Sequence, residues 1–417
     1  MRVVDPAALD IAALCRPGDT VMWGQADAEP VLLTRALMTQ RHRIGGRIRA
    51  FVGVSLADSI HPLHADVVDF VSYCGSGANR ELARSGKLEV CTLPYSEMAR
   101  RIARGDLPVD VLLLQLAPPD GDGRYSMSLA HEYLVPALEH ARVVVAEINE
   151  QAPWTYGERY LTDGDIDVAI MTSHAPLDSP RSAPDAVALA IARNAAALVD
   201  DGSTLQIGLG TLPGLVLAQL RDRHDLGIHS GAIGDAVADL AELGCITNAR
   251  KSIDPGVTVA GIMMGTARVH AFAHGNAAVQ FRSSCYTHDA GVLARIERFV
   301  AINSALEVDL TGQINSEVAN GVYVGAVGGA PDFLGGARNS RGGLPLVVLP
   351  STSGARSRIV AALNGPVTIP GDNEAVVVTE HGVADLRGLS ARARAQKLID
   401  IAHPDWRERL AESIPLH

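Results

Sequence analysis

The sequence predicts an α/β fold with largely parallel sheets, divided into two domains. Three observations carry that prediction. Short, continuously apolar and β-branched runs alternate with helical stretches, the pattern of strands covered by helices on both faces. At 417 residues the chain exceeds the roughly 250–300 residues at which single cores stop growing. A Pro- and Ser-rich segment, TSHAPLDSPRSAP at 172–184, has no apolar periodicity and reads as a linker.

In the first half the strand candidates are RAFVGVSL (49–56), VDVLLLQLA (109–117), ARVVVAEI (141–148) and DVAIMT (167–172). Between them, EPVLLTRALMTQR (29–41) and SEMARRIARG (96–105) carry helical spacing. After the linker, Ser182 and Asp185 fit a capping box, Leu189, Ile191 and Leu198 supply apolar positions, and Gly202 suits the C-terminal cap. Alternation resumes with STLQIG, LGIHS, VTVAGIMMG, RFVAIN, LPLVVLP and EAVVVTE as strands. The expected domains are 1–180 and 181–417.

Composition removes several classes of function. A net charge of −11 and an aromatic content of 4% argue against a phosphate-backbone partner and against stacking platforms for single strands. The longest apolar run, around 109–118, is too short to span a bilayer. Five cysteines without CxxC spacing read as reduced thiols in the cytoplasm. No HExxH or Cys/His metal spacing occurs, so no metal is expected. Oligomeric state stays open, a homo-oligomer included.

Three glycine-rich turns follow strands: SYCGSGANREL (72–82), QIGLGTLPG (206–214) and GAVGGAPDF (325–333). The second is not a dinucleotide fingerprint, because Pro213 stands where the third glycine belongs, and the first lacks the GK[ST] of a phosphate loop. Each alone reads equally as a plain tight turn. Together, at strand ends, they point to one shared ligand cleft. The corner LGIHSGAIGDAVADL (226–240) runs from strand through turn to helix and contains His229, Ser230, Gly231 and Asp235. His229 reads as a hydrogen-bonded structural histidine or as a catalytic one. Asp235 reads as the N-cap of the helix before it reads as a base. Cys74 reads as a small core residue ahead of a reactive thiol.

Longer motifs run in order along most of the chain. They include LQLAPPDGDGRYS (114–126), VVVAEINEQAPWTYGE (143–158), DGSTLQIGLGTLPGLVL (201–217), GCITNARKSIDPG (244–256), AINSALEVDLTGQINSE (301–317), LPSTSG (349–354), TEHGVADLRG (379–388) and IAHPDWR (401–407). In this order they resemble the acetyl-CoA hydrolase/transferase family. The resemblance implies two CoA-transferase-type α/β domains with the active site in the cleft between them, and coenzyme A, as acyl-CoA, for substrate. It places the family's nucleophilic glutamate, which forms an acyl-glutamyl anhydride, directly after the His-Ser pair, where this chain has Gly231. It assigns CoA contacts to Gly208, Leu209, Gly210, Thr211, Leu212, Asn303, Gly325, Gly328 and Gly329. Two further departures stand out. Ala330 replaces a usual Gln, and SCYTHDAGVLARIERF (284–299) stands where relatives commonly read like VDYVNDP.

The resemblance therefore implies an acyl-CoA-dependent enzyme that works without the glutamyl anhydride. Thioester hydrolysis and decarboxylation or lyase chemistry both fit, with water or a small carboxylic acid as co-substrate. Conventional CoA transfer needs another carboxylate, such as Glu147 or Glu317. A protein that binds the thioester without turnover completes the alternatives.

Overall fold

The apolar runs of the first half form one eight-stranded sheet. Its spatial order is Arg2–Val4, Val168–Thr172, Val143–Asn149, Val111–Leu116, Thr20–Trp23, Ile48–Phe51, Val68–Ser72 and Leu88–Val90. Every neighbouring pair in it is parallel. All six residues of Val111–Leu116 are buried, which explains why that strand is apolar without alternation. The helix Val31–Gln40 buries Val31, Thr34 and Met38 together with Leu33 and Leu37, the three- and four-residue steps of a single packed face. The helix Tyr95–Ala103 does the same with Tyr95, Met98, Ala99 and Ile102.

The second sheet has six strands, in the order Gly227–Ile228, Thr204–Ile207, Phe299–Ser304, Leu344–Val348, Val376–Thr379 and Gly382–Asp385. The first five pair in parallel and the last closes an antiparallel hairpin. Beside this sheet, Phe299, Ala301, Phe333, Leu334, Val347 and Val377 belong to one buried cluster.

The computed structural model describes residues 1–179 and 183–414. It divides into two compact units. One comprises Met1–Pro180, Val259–Thr287 and Val322–Gly328; the other comprises Arg181–Thr258, His288–Gly321 and Gly329–His417. The fold is mixed α/β with mostly parallel sheets, as the apolar runs predict.

Some local expectations change. VTVAGIMMG is not one strand but two, Thr258–Ala260 and Ile262–Met263. The helix after the linker is Ala186–Ala196, and Asp185 caps it by accepting a 2.7 Å hydrogen bond from the Ala188 N–H. Ser182, the other half of the expected capping box, lies outside the described residues. Gly202 is not the C-cap. The cap position falls on Ala197, while Gly202, at φ +72°, makes the turn into the next strand. All five cysteines are free thiols. Among the described residues no helix is long and apolar enough to cross a membrane, and no group of three or more His, Cys, Asp and Glu is arranged to hold a metal ion.

Candidate active-site corner

In the second unit the glycine turn at 206–214 and the His-Ser pair follow the carboxyl ends of two adjacent parallel strands, the usual place for ligands in such sheets. The 325–333 turn instead follows the short strand Val322–Tyr323 of a separate two-stranded sheet. The two-residue strand Gly227–Ile228 is held from both sides of its backbone. The Asn248 side-chain oxygen accepts from the Ile228 N–H at 2.9 Å. The ammonium of Lys251 donates to the Ile228 carbonyl at 2.8 Å and to the Val257 carbonyl at 2.5 Å. The GCITNARKSIDPG stretch thus fixes where His229 begins.

His229 donates its backbone N–H to the Leu205 carbonyl at 3.0 Å. Its ring packs edge-on against Phe299, with centroids 6.4 Å apart. The Ser230 hydroxyl accepts from the Ile207 N–H at 3.1 Å and donates to the Ala232 carbonyl at 2.7 Å. Both residues are fully buried. Ser230 thereby clamps the turn to the neighbouring strand end, which is a structural use of its hydroxyl. The cap position of the following helix, Asp235–Glu242, falls on Gly234. Asp235 is therefore the first helical residue and not the N-cap, where its negative charge complements the helix dipole.

The loop from Gly208 to Leu212 leaves the strand Thr204–Ile207 and enters the helix Thr211–Ala218. Gly208 donates to the Ile302 carbonyl at 2.7 Å. Gly210 holds φ +114° at the cap, a conformation that glycine adopts without strain. Leu209 is 47% exposed at the tip. Asn303 donates to the Gln206 side chain at 2.8 Å, so a buried amide pair joins the two strands beneath the loop.

The space beside Gly231 is filled by His288. A Cβ at position 231 would lie 3.0 Å from Cε1 and 3.1 Å from Nε2 of that imidazole. A Cβ at Gly329 would lie 2.6 Å from the same Nε2. Phe333 packs on the His288 ring at a centroid distance of 4.4 Å, and Phe333 in turn meets Phe299 at 6.4 Å. Burial, aided by the like charge that His229 would carry, pushes His288 down to about 3. At neutral pH it is an uncharged imidazole that retains one N–H.

The structure thus gathers His229, Ser230, Gly231, Asp235, Gly208 to Leu212, Asn303 and Gly329 in one unit. Gly325 and Gly328 belong to the other. There the Gly325 carbonyl accepts from Gly75 at 3.0 Å and the Gly328 carbonyl from Tyr95 at 2.9 Å. The two spare carboxylates are both engaged. Glu147 meets His174 at 2.6 Å and accepts from the Leu32 N–H at 3.1 Å. Glu317 accepts from the Thr368 hydroxyl at 2.7 Å.

Two features escape a reading of the sequence. One is His288, signalled only by the departure at 284–299. The other is a buried cluster in the first unit. There Glu132 accepts from the Gln25 amide at 2.8 Å and from the Tyr95 hydroxyl at 2.7 Å, while Tyr73 donates to the Gln25 oxygen at 2.6 Å. Burial outweighs those hydrogen bonds and pushes Glu132 up to about 7. Nothing in its local sequence announces it.

Parallel strand ends bearing glycine turns in each of two α/β units define a CoA-transferase type of architecture, and solved structures agree. RipA from Yersinia pestis superposes with a TM-score of 0.93 at 29% identity, over 99% of this chain and 96% of that one. A 4-hydroxybutyrate CoA-transferase from Porphyromonas gingivalis gives 0.81 at 30% identity, over 99% and 96%. The chain belongs to the acetyl-CoA hydrolase/transferase family, matching its N-terminal domain over residues 6–185 and its C-terminal domain over 265–414. It is 36% identical to the 4-hydroxybutyrate coenzyme A transferase of Clostridium kluyveri, over 94% of this chain and 92% of the relative. It is 34% identical to the succinyl-CoA:cyclohexane-1-carboxylate CoA transferase of Geobacter metallireducens, over 97% and 93%.

Proposed function

We propose that this chain is an enzyme acting on an acyl-CoA thioester, that it does so without an acyl-glutamyl anhydride, and that water is the acceptor. The observation that carries this reading is the corner itself. Position 231 is glycine, and a Cβ there would press at 3.0–3.1 Å on an uncharged imidazole. A carboxylate nucleophile has no atom there, and a side chain would enter only if the His288 ring gave by a few tenths of an ångström. Glu147 and Glu317 are poor substitutes, because each would have to abandon its partner in a buried setting and regain near-attack geometry. The named activities of the relatives, which include CoA transfer and acetyl-CoA hydrolysis, support a CoA thioester as the substrate class.

In this reading, water adds to the thioester carbonyl and the backbone N–H groups of the glycine loops help to hold the oxyanion. The C–S bond then breaks, and the proton of the attacking water ends on the departing CoA sulfur. Ser230 and His229, fully buried, set the shape of the turn.

The test is to incubate the full-length protein with a panel of acyl-CoAs in ¹⁸O-water, with and without acetate, and to follow products by mass spectrometry. Free CoA and a singly labelled acid, at a rate independent of acetate, are expected. Acetate-dependent acetyl-CoA would overturn the loss of anhydride chemistry. Carbon dioxide release would replace hydrolysis with a lyase reaction, and tight binding without product would leave a binding protein.

A further inference from the structure

We infer that Arg358 is an anion-binding residue of the second unit, whose guanidinium takes an oxyanion group, phosphate or carboxylate, carried by the CoA thioester. The inference deepens the function proposed above and rests on it. The motif LPSTSG (349–354) stops short of this residue, and its case comes from packing and position.

Half-buried arginines elsewhere in the chain are answered by carboxylates. Arg41, Arg159 and Arg394 meet Asp66, Asp165 and Glu374 at 2.9, 2.7 and 3.0 Å. Arg358 is half-buried as well, but among the described residues its guanidinium makes no ion pair. Its one hydrogen bond, from Nη1 to the Ala305 carbonyl, is 3.5 Å long, the outer limit for such a bond. A guanidinium carries five N–H donors, so most of its donor capacity is unspent. Burial pushes the group below its ordinary range, and the charge of Glu307 offsets only part of that. A charge drawn out of water without a close counter-charge is destabilising. Departures of this kind concentrate where a ligand supplies what is missing.

The position of the residue says which ligand. Arg358 directly follows the hairpin of Thr352–Ser353 and Arg356–Ser357, beyond the carboxyl end of the strand Leu344–Val348. Its N–H donates to the Ser351 carbonyl and its carbonyl accepts from the Val308 N–H, both at 2.8 Å, which fixes where the side chain starts. Ala305 follows the strand Phe299–Ser304, and that strand lies between Leu344–Val348 and Thr204–Ile207. The Ser304 hydroxyl is 3.9 Å from the place a Cβ on Gly210 would take. A connected row therefore runs from the Gly208–Leu212 turn through Ser304 and Ala305 to Arg358, along the carboxyl edge of one parallel sheet. Two strand spacings, about 10 Å, separate its ends. The helix Thr211–Ala218 begins at the turn, and its N-terminal dipole also favours negative charge.

A CoA thioester presents two sources of oxyanion. Its nucleotide end carries phosphates whatever the acyl group, and some acyl groups end in a carboxylate. The planar fork of a guanidinium matches either one in bidentate fashion. The contact holds the substrate and neither makes nor breaks a bond, so its effect is on affinity.

The experiment compares wild type with Arg358→Gln, which removes the charge, and Arg358→Lys, which keeps the charge without the fork. Calorimetry with CoA and with pantetheine, which has no phosphate, reads the first source. The thioethers S-(3-carboxypropyl)-CoA and S-butyl-CoA, which differ by one carboxylate and do not turn over, read the second. A phosphate contact gives a loss of CoA affinity of about 10- to 100-fold in Arg358→Gln, a smaller loss in Arg358→Lys and none for pantetheine. A carboxylate contact gives the same loss confined to the carboxypropyl thioether. If the substitution changes neither the CoA-to-pantetheine ratio nor the ratio between the thioethers, the proposal is overturned.

A second arm needs no variant and so covers one that does not fold. Wild-type protein is treated with phenylglyoxal, and modification of Arg358 is followed by peptide mass spectrometry. Shielding by CoA but not by pantetheine, or by the carboxypropyl thioether above the butyl one, is expected. Equal modification with and without every ligand, or failure of every ligand to bind, would overturn the contact. If the ligands bind but no acyl-CoA releases CoA, the function proposed above fails, and both arms still decide the role of Arg358.

Discussion

Each unit buries a titratable group whose charge is set by its surroundings, and the two are opposite in kind. In the first, Glu132 is surrounded by donors yet held up to about 7 by burial. In the second, His288 lies against Phe333 and the backbone of Gly231 and Gly329 and is held down to about 3. Burial favours the neutral form in both, but the two side chains are held in place by different means. The acid is fixed by directional hydrogen bonds from Gln25 and Tyr95; the base is packed by the Phe333 ring. A hydrogen-bonded cluster tolerates little displacement, whereas a ring held by packing can give by a few tenths of an ångström.

Glycine-to-alanine substitutions should sharpen this contrast most. At Gly53 an added Cβ would meet the Gln25 Cβ and Oε1 at 2.5 Å and the Tyr133 hydroxyl at 2.8 Å. Because Gln25 is pinned by its own hydrogen bonds, Gly53→Ala should lose stability toward the top of the usual about 1–3 kcal/mol for overpacking. Gly329→Ala, which meets an imidazole packed by rings, should lose less. Chemical denaturation of the two variants checks this, and the reverse order would break the contrast.

The next effect is on the pH dependence of stability. Because the folded state raises the Glu132 carboxyl from 4.5 to about 7, its contribution is full below about pH 4.5. It falls by up to about 1.4 kcal/mol per pH unit as the pH rises to about 7. His288, lowered from 6.5 to about 3, behaves oppositely. Its contribution is full above pH 6.5 and is lost at up to the same rate as the pH falls toward 3. Relative to wild type, Glu132→Gln should gain stability from pH 5 to 7, and His288→Phe should gain as the pH drops from 6.5 to 5. Parallel trends in denaturation midpoints would show that one group is not held as described.

Smallest is the helix cap away from both clusters. Asp185→Ala removes the acceptor for the Ala188 N–H and should cost about 1 kcal/mol. Thermal unfolding measures this loss, which should be the same at pH 7 and pH 8. A pH-dependent loss there would mean that the cap is coupled to one of the buried groups.

The sheets were legible because burial on both faces writes itself into consecutive residues, as in VLLLQL and LPLVV. The corner at 226–240 was legible because a strand, a glycine turn and a helix leave local marks. Gly202 misled as a helix end because a glycine at positive φ serves a turn as well as a cap. The grouping of residues 231, 288 and 329 was hidden for a different reason. Three positions separated along the chain meet only through tertiary packing, and the sequence registers that meeting only as a departure from related motifs. Glu132, within LAHEYLVP, gives no local hint that it is buried.

The lysine inventory has a practical consequence. The chain contains three lysines, Lys87, Lys251 and Lys397, and Lys251 is buried with its ammonium spent on two backbone carbonyls. Lys87 and Lys397 are exposed, one in each unit. An amine-reactive dye will therefore mark each unit once, apart from the amino terminus. Without any engineered cysteine, a single conjugation gives a reporter for both halves of the molecule, and labelling of Lys251 becomes a chemical signal that the strand leading to His229 has come loose.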